Sequence, residues 1–261
     1  MWYNINMEYI KKFGQNFLEN DEALKKIVES LEIEEGDVIL EVGGGSGNLT
    51  KEILKITDNV IVIEKDRRLI EGLRGLSNGS NYKVVEGDCR DVLAGIVENL
   101  GNYKICGNIP YYLTGQLLKI IRELKKSPQS VVFTMQKEVA ERILGGKKEN
   151  QLSIITKLWA APEIVMNLKA EDFYPKPKVD SSVIKLTVLS KEKRCKQENN
   201  VIDLVKVGFL APRKTLFNNL SSKFSKEAIK KALEEMNFSD KIRAQDLDVT
   251  MWINLAKILL D

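Results

Sequence analysis

The sequence predicts an α/β fold in which a parallel, doubly wound sheet is followed by a small α-helical domain. Apolar runs rich in β-branched residues recur in the first half of the chain, at residues 38–42, 60–63, 82–85, 103–106 and 130–135. Helical spacing of apolar residues precedes these runs at 21–31 and separates them, for example at 49–56 and 113–124. Strands that alternate with helices form parallel sheets with helices on both faces. Two later strands, at 163–168 and 183–189, would suit a hairpin at one edge of the sheet.

The end of the chain has a different pattern. A polar segment at 191–200 indicates a linker. Helical patterns follow it at 201–209, 226–236 and 249–260. We therefore predict an α/β domain at residues 1–190 and a small helical domain at 196–261.

Composition narrows the chemistry that the chain can perform. Its 261 residues include no histidine, which excludes Ser-His-Asp and Cys-His nucleophilic mechanisms and histidine metal ligands. Cys89, Cys106 and Cys195 lack the paired spacing of a zinc or dithiol site, so we expect no bound metal and no disulfide. The sequence shows no membrane-spanning run and no secretory leader, which predicts a cytoplasmic protein. The net charge is +3, and the positive charge lies in the last part of the chain, from residue 191 onwards. A basic C-terminal part is compatible with contacts to phosphates, and an ordinary solvated face explains it equally well.

A glycine-rich turn follows the first predicted strand and precedes a helix. Its spacing G-x-G-x-G includes Gly43 and Gly45, with Glu41 before it, and differs from the G-x-G-x-x-G fingerprint of dinucleotide-binding proteins. The turn resembles the nucleoside-binding loop of S-adenosylmethionine enzymes. Glu64 ends the next strand, where a carboxylate can accept both ribose hydroxyls of an adenosine. Asp88 follows the third strand and can accept a hydrogen bond from an adenine amine.

The most informative motif is Asn108-Ile109-Pro110-Tyr111, at the end of the fourth strand. It resembles the Asn/Asp-Pro-Pro-Tyr/Phe motif of amine methyltransferases, whose targets are planar amines. Such an amine is a poor nucleophile because its lone pair is delocalised into the ring. The Asn108 side-chain oxygen and the carbonyl of Ile109 or Pro110 could accept its two hydrogens, while Tyr111 stacks on the extruded base. No general base is needed before transfer, so the missing histidine is no obstacle.

Several segments together resemble one family. They are Lys12–Leu18, the glycine turn, Asn108–Tyr111, Met135–Arg142 and Phe173–Ser181. In this order they resemble the KsgA-type 16S rRNA adenine dimethyltransferases. The resemblance implies a Rossmann-like, S-adenosylmethionine-dependent methyltransferase domain with a small helical C-terminal domain. It further implies dimethylation of two adjacent adenosines near the 3′ end of 16S rRNA in an assembling small ribosomal subunit, by a monomeric enzyme.

The same resemblance implies the residues of the site. Cofactor contacts map onto Asn16, Leu18, Gly43, Gly45, Glu64, Asp88 and Asn108. Phe173 would cover the face of the target base opposite Tyr111. Arg213 and Lys214 lie in a stretch similar to the family's basic helix start, with one Arg fewer, and are candidate contacts to RNA phosphates. An ordinary solvated role for these two cations carries equal weight.

Two other functions compete with this interpretation. Erythromycin-resistance methyltransferases share the fold and the Asn-Ile-Pro-Tyr motif but modify an adenine of large-subunit rRNA. The stretch Met135–Glu138 and the Pro-Arg-Lys-Thr sequence that includes Arg213 favour the small-subunit enzyme. A non-catalytic nucleic-acid binder is the second alternative, and the intact glycine turn together with Asn108 argues against it.

Overall fold

A computed structural model of the protein describes residues 15–260. The first three residues of the motif Lys12–Leu18 lie outside the described residues. The strands are β1 Phe17–Leu18, β2 Val38–Val42, β3 Val60–Glu64, β4 Lys83–Glu86, β5 Tyr103–Asn108, β6 Ser130–Gln136, β7 Ala160–Leu168, β8 Phe173–Tyr174 and β9 Ser181–Val188. The helices are α1 Asp21–Leu31, α2 Asn48–Leu54, α3 Arg67–Arg74, α4 Cys89–Val97, α5 Thr114–Glu123, α6 Lys137–Leu144, α7 Gln151–Lys157, α8 Glu198–Gly208, α9 Leu216–Leu220, α10 Lys226–Glu235 and α11 Val249–Leu260.

Seven strands form one sheet in the order β4-β3-β2-β5-β6-β9-β7. The first five of these strands are parallel to their neighbours, and β9 runs antiparallel to β6. The predicted parallel α/β sheet is therefore confirmed, and the two later predicted strands lie side by side at one edge. A separate antiparallel pair joins β1 to β8, with Leu18 opposite Phe173.

The central strands are apolar along their whole length because helices cover both faces of a parallel sheet. Ile39 and Leu40 of β2 and Val60 and Val62 of β3 are all buried. Helix α1 contributes the buried side chains of one face to the same core. It begins where the Asn20 side chain accepts a hydrogen bond from the backbone N–H of Ala23, at 3.0 Å.

Strand β2 marks the point where the strand order reverses. It pairs with β3 on one side and with β5 on the other. In open α/β sheets, ligands bind in the crevice outside the carboxyl ends of the strands at such a point. We therefore expect a ligand-binding site at the carboxyl ends of β2 to β5.

The opposite end of β5 carries a buried ion pair. Lys104 Nζ lies 2.7 Å from Asp37 Oδ2, with the two side chains only 7% and 2% exposed. Lys104 also donates a hydrogen bond to the backbone carbonyl of Glu32. A buried charge of this kind is tolerated only when it is paired and hydrogen-bonded. The pair therefore anchors the strand whose other end carries Asn108.

Contacts divide the chain into two compact units. Among the described residues, one unit contains those up to Ala140 together with Glu163–Val188, and the other contains Glu141–Pro162 together with those from Leu189 to Leu260. The second unit has its own apolar core, in which Ile154 and Leu158 join side chains of α8 to α11 such as Trp252. This grouping differs from the division at 1–190 and 196–261, because α7 packs on α8 although it lies far from α8 in sequence.

Candidate active site

A pocket opens at the carboxyl ends of β2, β3, β4 and β5. It is lined by every residue to which cofactor contacts were assigned: Asn16, Leu18, Gly43, Gly45, Glu64, Asp88 and Asn108. Pro110 and Tyr111 also line it, whereas Phe173 is not part of its lining. Residues far apart in sequence thus meet where the strand order reverses.

The glycine turn needs glycine for reasons that the structure makes explicit. Gly43 and Gly45 have φ values of 78° and 54°, in the left-handed region that L side chains rarely adopt. At Gly44, an added Cβ would lie 2.4 Å from Val62 Cγ1. At Gly43, an added Cβ would meet no described heavy atom within 4 Å, so this backbone borders open space in the pocket. The turn therefore leaves its main chain open to a ligand.

Glu64 organises the glycine turn as well as facing the pocket. Its Oε2 accepts a hydrogen bond from the N–H of Gly45 at 2.8 Å. Its Oε1 accepts hydrogen bonds from the N–H groups of Lys65 and Asp66, both at 2.8 Å. The residue is 7% exposed. A carboxylate has about four acceptor positions, so Glu64 retains capacity for a ligand hydroxyl while it holds the turn.

Asp88 is surrounded by donors from the chain itself. Oδ1 accepts from the backbone N–H and the Nε of Arg90, at 3.0 and 2.9 Å. Oδ2 accepts from Arg90 Nη2 at 2.5 Å and from Lys65 Nζ at 2.7 Å. The hydrogen bonds from Arg90 hold the pKa of this carboxyl well below its usual range, and Lys65 adds to the effect. An adenine amine would have to replace one of these donors, and Lys65 is more exposed than Arg90.

The Asn108 side chain has a defined orientation. Its Nδ2 donates to the backbone carbonyl of Asn16 at 2.6 Å. Because a carbonyl can only accept, the amide nitrogen must lie on that side and Oδ1 on the other. Gly107 permits the close approach of the neighbouring strand, since an added Cβ would lie 2.3 Å from the backbone oxygen of Val42. No donor within residues 15–260 hydrogen-bonds to the side-chain oxygen of Asn108, so within that part of the chain this oxygen is available as an acceptor for a ligand.

Tyr111 is held by its hydroxyl. The phenol oxygen lies 2.8 Å from Ser181 Oγ, on β9. Burial raises the pKa of Tyr111, so the ring is a neutral phenol at physiological pH. The carbonyl of Pro110 accepts from the N–H of Leu113 at 2.9 Å, within a short 3-10 turn. That hydrogen bond occupies one lone pair of Pro110, which makes the Ile109 carbonyl the freer second acceptor for an amine.

Phe173 occupies a different environment from the one that its assigned role requires. It is 3% exposed and belongs to the hydrophobic core of the first unit. Its neighbour Tyr174 is 53% exposed. The stacking role of Phe173 stays a prediction, and it requires the side chain to present a face that is covered in this structure.

Arg213 and Lys214 lie in the second unit, in the connection between α8 and α9. Both side chains are exposed to solvent. The next residue, Thr215, caps α9 by accepting a hydrogen bond from the N–H of Asn218 at 3.3 Å. The two cations are thus presented at the start of a helix, and their contact with phosphates stays a prediction.

Glu41 and Ser181 are functional candidates that the sequence patterns did not single out as site residues. Glu41 lines the pocket and is 1% exposed. Its Oε2 accepts a hydrogen bond from Thr50 Oγ1 at 2.6 Å. The pattern of an acid within an otherwise apolar strand could have identified Glu41.

Ser181 lies within the motif Phe173–Ser181, but its partner Tyr111 is 70 positions away, so no local pattern could have revealed the contact.

Residues 15–260 lack both a metal-binding cluster and a membrane-spanning helix. No group of three or more Cys, Asp or Glu side chains is arranged to hold a metal ion there. No helix in that range has the length and apolar character needed to cross a membrane.

Comparison with known proteins gives a consistent result. A model of the ribosomal RNA adenine dimethylase family matches residues 7–261. The chain is 33% identical to ribosomal RNA small subunit methyltransferase A of Nostoc sp., over 95% of this chain and 97% of that protein. It is 36% identical to the protein of the same name from Acaryochloris marina, over 94% and 95% of the two chains.

Solved structures show the same fold. The crystal structure of a dimethyladenosine transferase from Plasmodium falciparum has a TM-score of 0.78 and 27% identity, covering 92% of this chain and 95% of that one. The 23S rRNA methyltransferase ErmE has a TM-score of 0.76 at 23% identity, over 94% and 100% of the two chains, and this likeness concerns the fold alone. The predicted fold class, a Rossmann-like methyltransferase domain with a helical C-terminal part, and the predicted enzyme class are confirmed. The chain belongs to the ribosomal RNA adenine dimethylase family.

Proposed function

We propose that this protein transfers methyl groups from S-adenosylmethionine to the exocyclic amines of two adjacent adenosines near the 3′ end of 16S rRNA, in an assembling small ribosomal subunit. Membership of the adenine dimethylase family and the names of the similar full-length proteins support this proposal. The observation that carries it is the orientation of Asn108, whose Nδ2 is bound to the Asn16 carbonyl so that Oδ1 is available to an amine.

The residues of the pocket fit S-adenosylmethionine. Its adenosine part suits the open backbone at Gly43 and the Glu64 carboxylate, which has room for a ribose hydroxyl. Asn16, Leu18 and Asp88 line the same pocket, and the Asp88 carboxylate would accept a hydrogen bond from the adenine amine. When bound, this cofactor supplies a methyl group activated by attachment to a positively charged sulfur.

The chain's own contribution to the reaction is orientation. Asn108 Oδ1 accepts one hydrogen of the target amine, and the Ile109 or Pro110 carbonyl accepts the other. These two hydrogen bonds turn the nitrogen lone pair out of conjugation with the ring and toward the methyl donor. Such preorganised polar contacts cost no rearrangement at the moment of reaction, which is why they accelerate it.

The base itself must leave its stack to reach the pocket. Tyr111 offers an aromatic ring at the pocket wall, and its hydrogen bond to Ser181 fixes the ring's position. Stacking of a base on such a ring contributes about 1–3 kcal/mol. Phe173 would cover the opposite face of the base if its side chain becomes accessible when RNA binds. The amine loses its proton to solvent only after transfer, so no side chain has to act as a general base.

The basic turn at Arg213 and Lys214 is proposed to contact RNA phosphates. Phosphate contacts position a protein on RNA without reading its sequence. The exposure of both side chains is compatible with this role. We further propose that the protein acts as a monomer in the cytoplasm.

The proposal is tested by incubating the protein with radiolabelled S-adenosylmethionine and small ribosomal subunits that lack the modification. Parallel reactions contain unmethylated large subunits and free 16S rRNA, and the labelled nucleotides are then located. We expect two adjacent dimethylated adenosines in small-subunit rRNA. Label in the large subunit alone would support the erythromycin-resistance alternative, and cofactor binding without any transfer would contradict a catalytic role.

A further inference from the structure

Glu41 is a buried carboxyl group at the wall of the cofactor pocket. It lies in β2, the central strand, and its side chain is 1% exposed. One carboxyl oxygen accepts a hydrogen bond from Thr50 Oγ1, on α2. The role proposed above does not use this group, although burial of a carboxylate without a positive partner is costly.

The groups that face Glu41 from the surrounding elements supply no positive charge within the described residues. Thr50 of α2 donates a neutral hydrogen bond, and Glu64 at the end of β3 is itself acidic. Cys106 lies beside it on β5, and Tyr82 precedes β4. Burial raises the pKa of the Cys106 thiol and raises that of Tyr82 to about 12, so both are neutral at physiological pH.

Desolvation is therefore the dominant influence on this carboxyl. Burial raises the pKa of Glu41 to about 8, the hydrogen bond from Thr50 opposes the rise, and the negative charge of Glu64 adds to it. The neutral, protonated form of Glu41 is therefore favoured at pH 7. The pocket described here thus has a neutral acid at its wall, one that can become an anion if a cation enters.

We propose that Glu41 gives up its proton when the cationic cofactor enters the pocket, and that its carboxylate favours the sulfonium cofactor over the demethylated product. This inference rests on the proposed function, because it takes S-adenosylmethionine as the ligand. The O–H bond of the carboxyl breaks, the proton passes to buffer, and the remaining negative charge offsets the positive charge on sulfur. After methyl transfer the sulfur is neutral, so the carboxylate loses its counter-charge, takes up a proton again and favours release of the product.

Linkage fixes the sign of the expected pH dependence. Since binding releases a proton, affinity for the cofactor rises with pH, by up to about tenfold per unit, and levels off above about pH 8. S-adenosylhomocysteine lacks the sulfonium charge but shares the amino acid ammonium group of the cofactor. Titration of that ammonium therefore affects both ligands, and the difference between them isolates the contribution of the charged sulfur.

The experiment is isothermal titration calorimetry at pH 7 in buffers of different ionisation enthalpy, which counts the protons released. We expect close to one more proton for S-adenosylmethionine than for S-adenosylhomocysteine with the wild-type protein. Glu41→Gln keeps the shape and neutrality of the protonated acid, and should abolish the difference and reduce the preference for the cofactor by about tenfold. Glu71→Gln, which removes an exposed carboxylate of α3, should behave as wild type.

Equal proton release with both ligands, or a difference that persists in Glu41→Gln, would overturn the inference. If Glu41→Gln does not fold, the wild-type protein alone decides. Its ratio of affinities for the two ligands should rise between pH 6 and 8, and a flat ratio would overturn the inference as well. Failure of the wild-type protein to bind S-adenosylmethionine at all would instead contradict the proposed function.

Discussion

Replacement of Glu64 separates the two tasks that the structure gives to this carboxylate. One task is internal, since Glu64 accepts three backbone hydrogen bonds, from Gly45, Lys65 and Asp66. The other is the proposed contact with a ribose hydroxyl of the cofactor. Glu64→Ala removes both, and Glu64→Gln removes the charge but keeps the size of the side chain.

The loss in affinity follows from the number of hydrogen bonds to ribose. The three backbone donors leave about one acceptor position of Glu64 for ribose. One charge-assisted hydrogen bond contributes about 1.5–3 kcal/mol, so Glu64→Ala should weaken cofactor binding by about that amount. That corresponds to an increase in Kd of about 10–10². The unliganded protein should also lose about 1–3 kcal/mol of unfolding free energy, because the N–H of Gly45 no longer has its acceptor.

The glutamine variant should recover little of the lost unfolding free energy. An amide has a single oxygen, whereas Glu64 uses Oε1 for Lys65 and Asp66 and Oε2 for Gly45. If the amide oxygen takes the place of Oε1, the amide nitrogen faces the N–H of Gly45, and two donors then oppose each other. We therefore expect Glu64→Gln to be destabilised about as much as Glu64→Ala.

Affinity is measured by calorimetry with S-adenosylmethionine, and stability by guanidinium denaturation without ligand. The control is Glu71→Ala, at an exposed position of α3. Unchanged affinity in Glu64→Ala would refute the assignment of the ribose contact. Unchanged stability in both Glu64 variants would refute the view that the carboxylate holds the glycine turn.

Three further changes test other parts of the molecule. Asn108→Ala should lower the single-turnover rate of methyl transfer by about 10²–10³ with only a modest loss of cofactor affinity, because one preorganised acceptor is removed. Asn108→Asp should retain some activity, since a carboxylate still accepts the amine hydrogens. Replacing Arg213 and Lys214 together by Ala should flatten the salt dependence of RNA binding by about two units of slope, as measured by filter binding at several salt concentrations. Lys104→Met should cost about 3–5 kcal/mol of unfolding free energy, because it leaves the Asp37 carboxylate buried and unpaired.

Each of these outcomes has a matched control. Asn254→Ala, on the exposed side of α11, should leave the rate of methyl transfer unchanged. A wild-type rate in Asn108→Ala would mean that the motif Asn108–Tyr111 is only a structural turn. Replacing Lys230 and Lys231 by Ala removes the same charge from α10. If this control changes the slope of the salt dependence equally, the effect comes from the overall charge of the protein and not from phosphate contacts of Arg213 and Lys214. Replacing Asp37 by an apolar residue in the Lys104→Met variant should restore most of the lost unfolding free energy. If it does not, loss of the ion pair is not the cause of the destabilisation.

Local patterns determined much of the fold in advance. The predicted helix at 21–31 and the predicted strand at 38–42 match α1 and β2, and the other predicted strands of the parallel sheet lie within a few residues of the observed ones. Buried strands and amphipathic helices can be predicted from the sequence because their apolar spacing is a property of consecutive residues. Helices α3 and α4 are not among the helical patterns named from the sequence.

The placement of the cofactor residues could also be anticipated. The glycine turn, Glu64, Asp88 and Asn108 each follow a predicted strand, and parallel strands bring their carboxyl ends to the same edge of a sheet. Their gathering in one pocket therefore follows from strand type and order. Family membership follows from the same motifs, because their order along the chain is itself a property of the sequence.

Only the tertiary structure decided which partners these side chains have. The amide of Asn108 is oriented by Asn16, 92 positions away, and Tyr111 is held by Ser181, 70 positions away. Phe173 lies in the core, and Glu41 is desolvated by the helices and strands that enclose it. Burial and long-range hydrogen bonds depend on which segments meet after folding, whereas helix and strand patterns depend on neighbours in the chain. The sequence alone therefore determined most strands, several helices and the family, and the packing of those elements decided the burial of Glu41 and the direction in which Asn108 presents its oxygen.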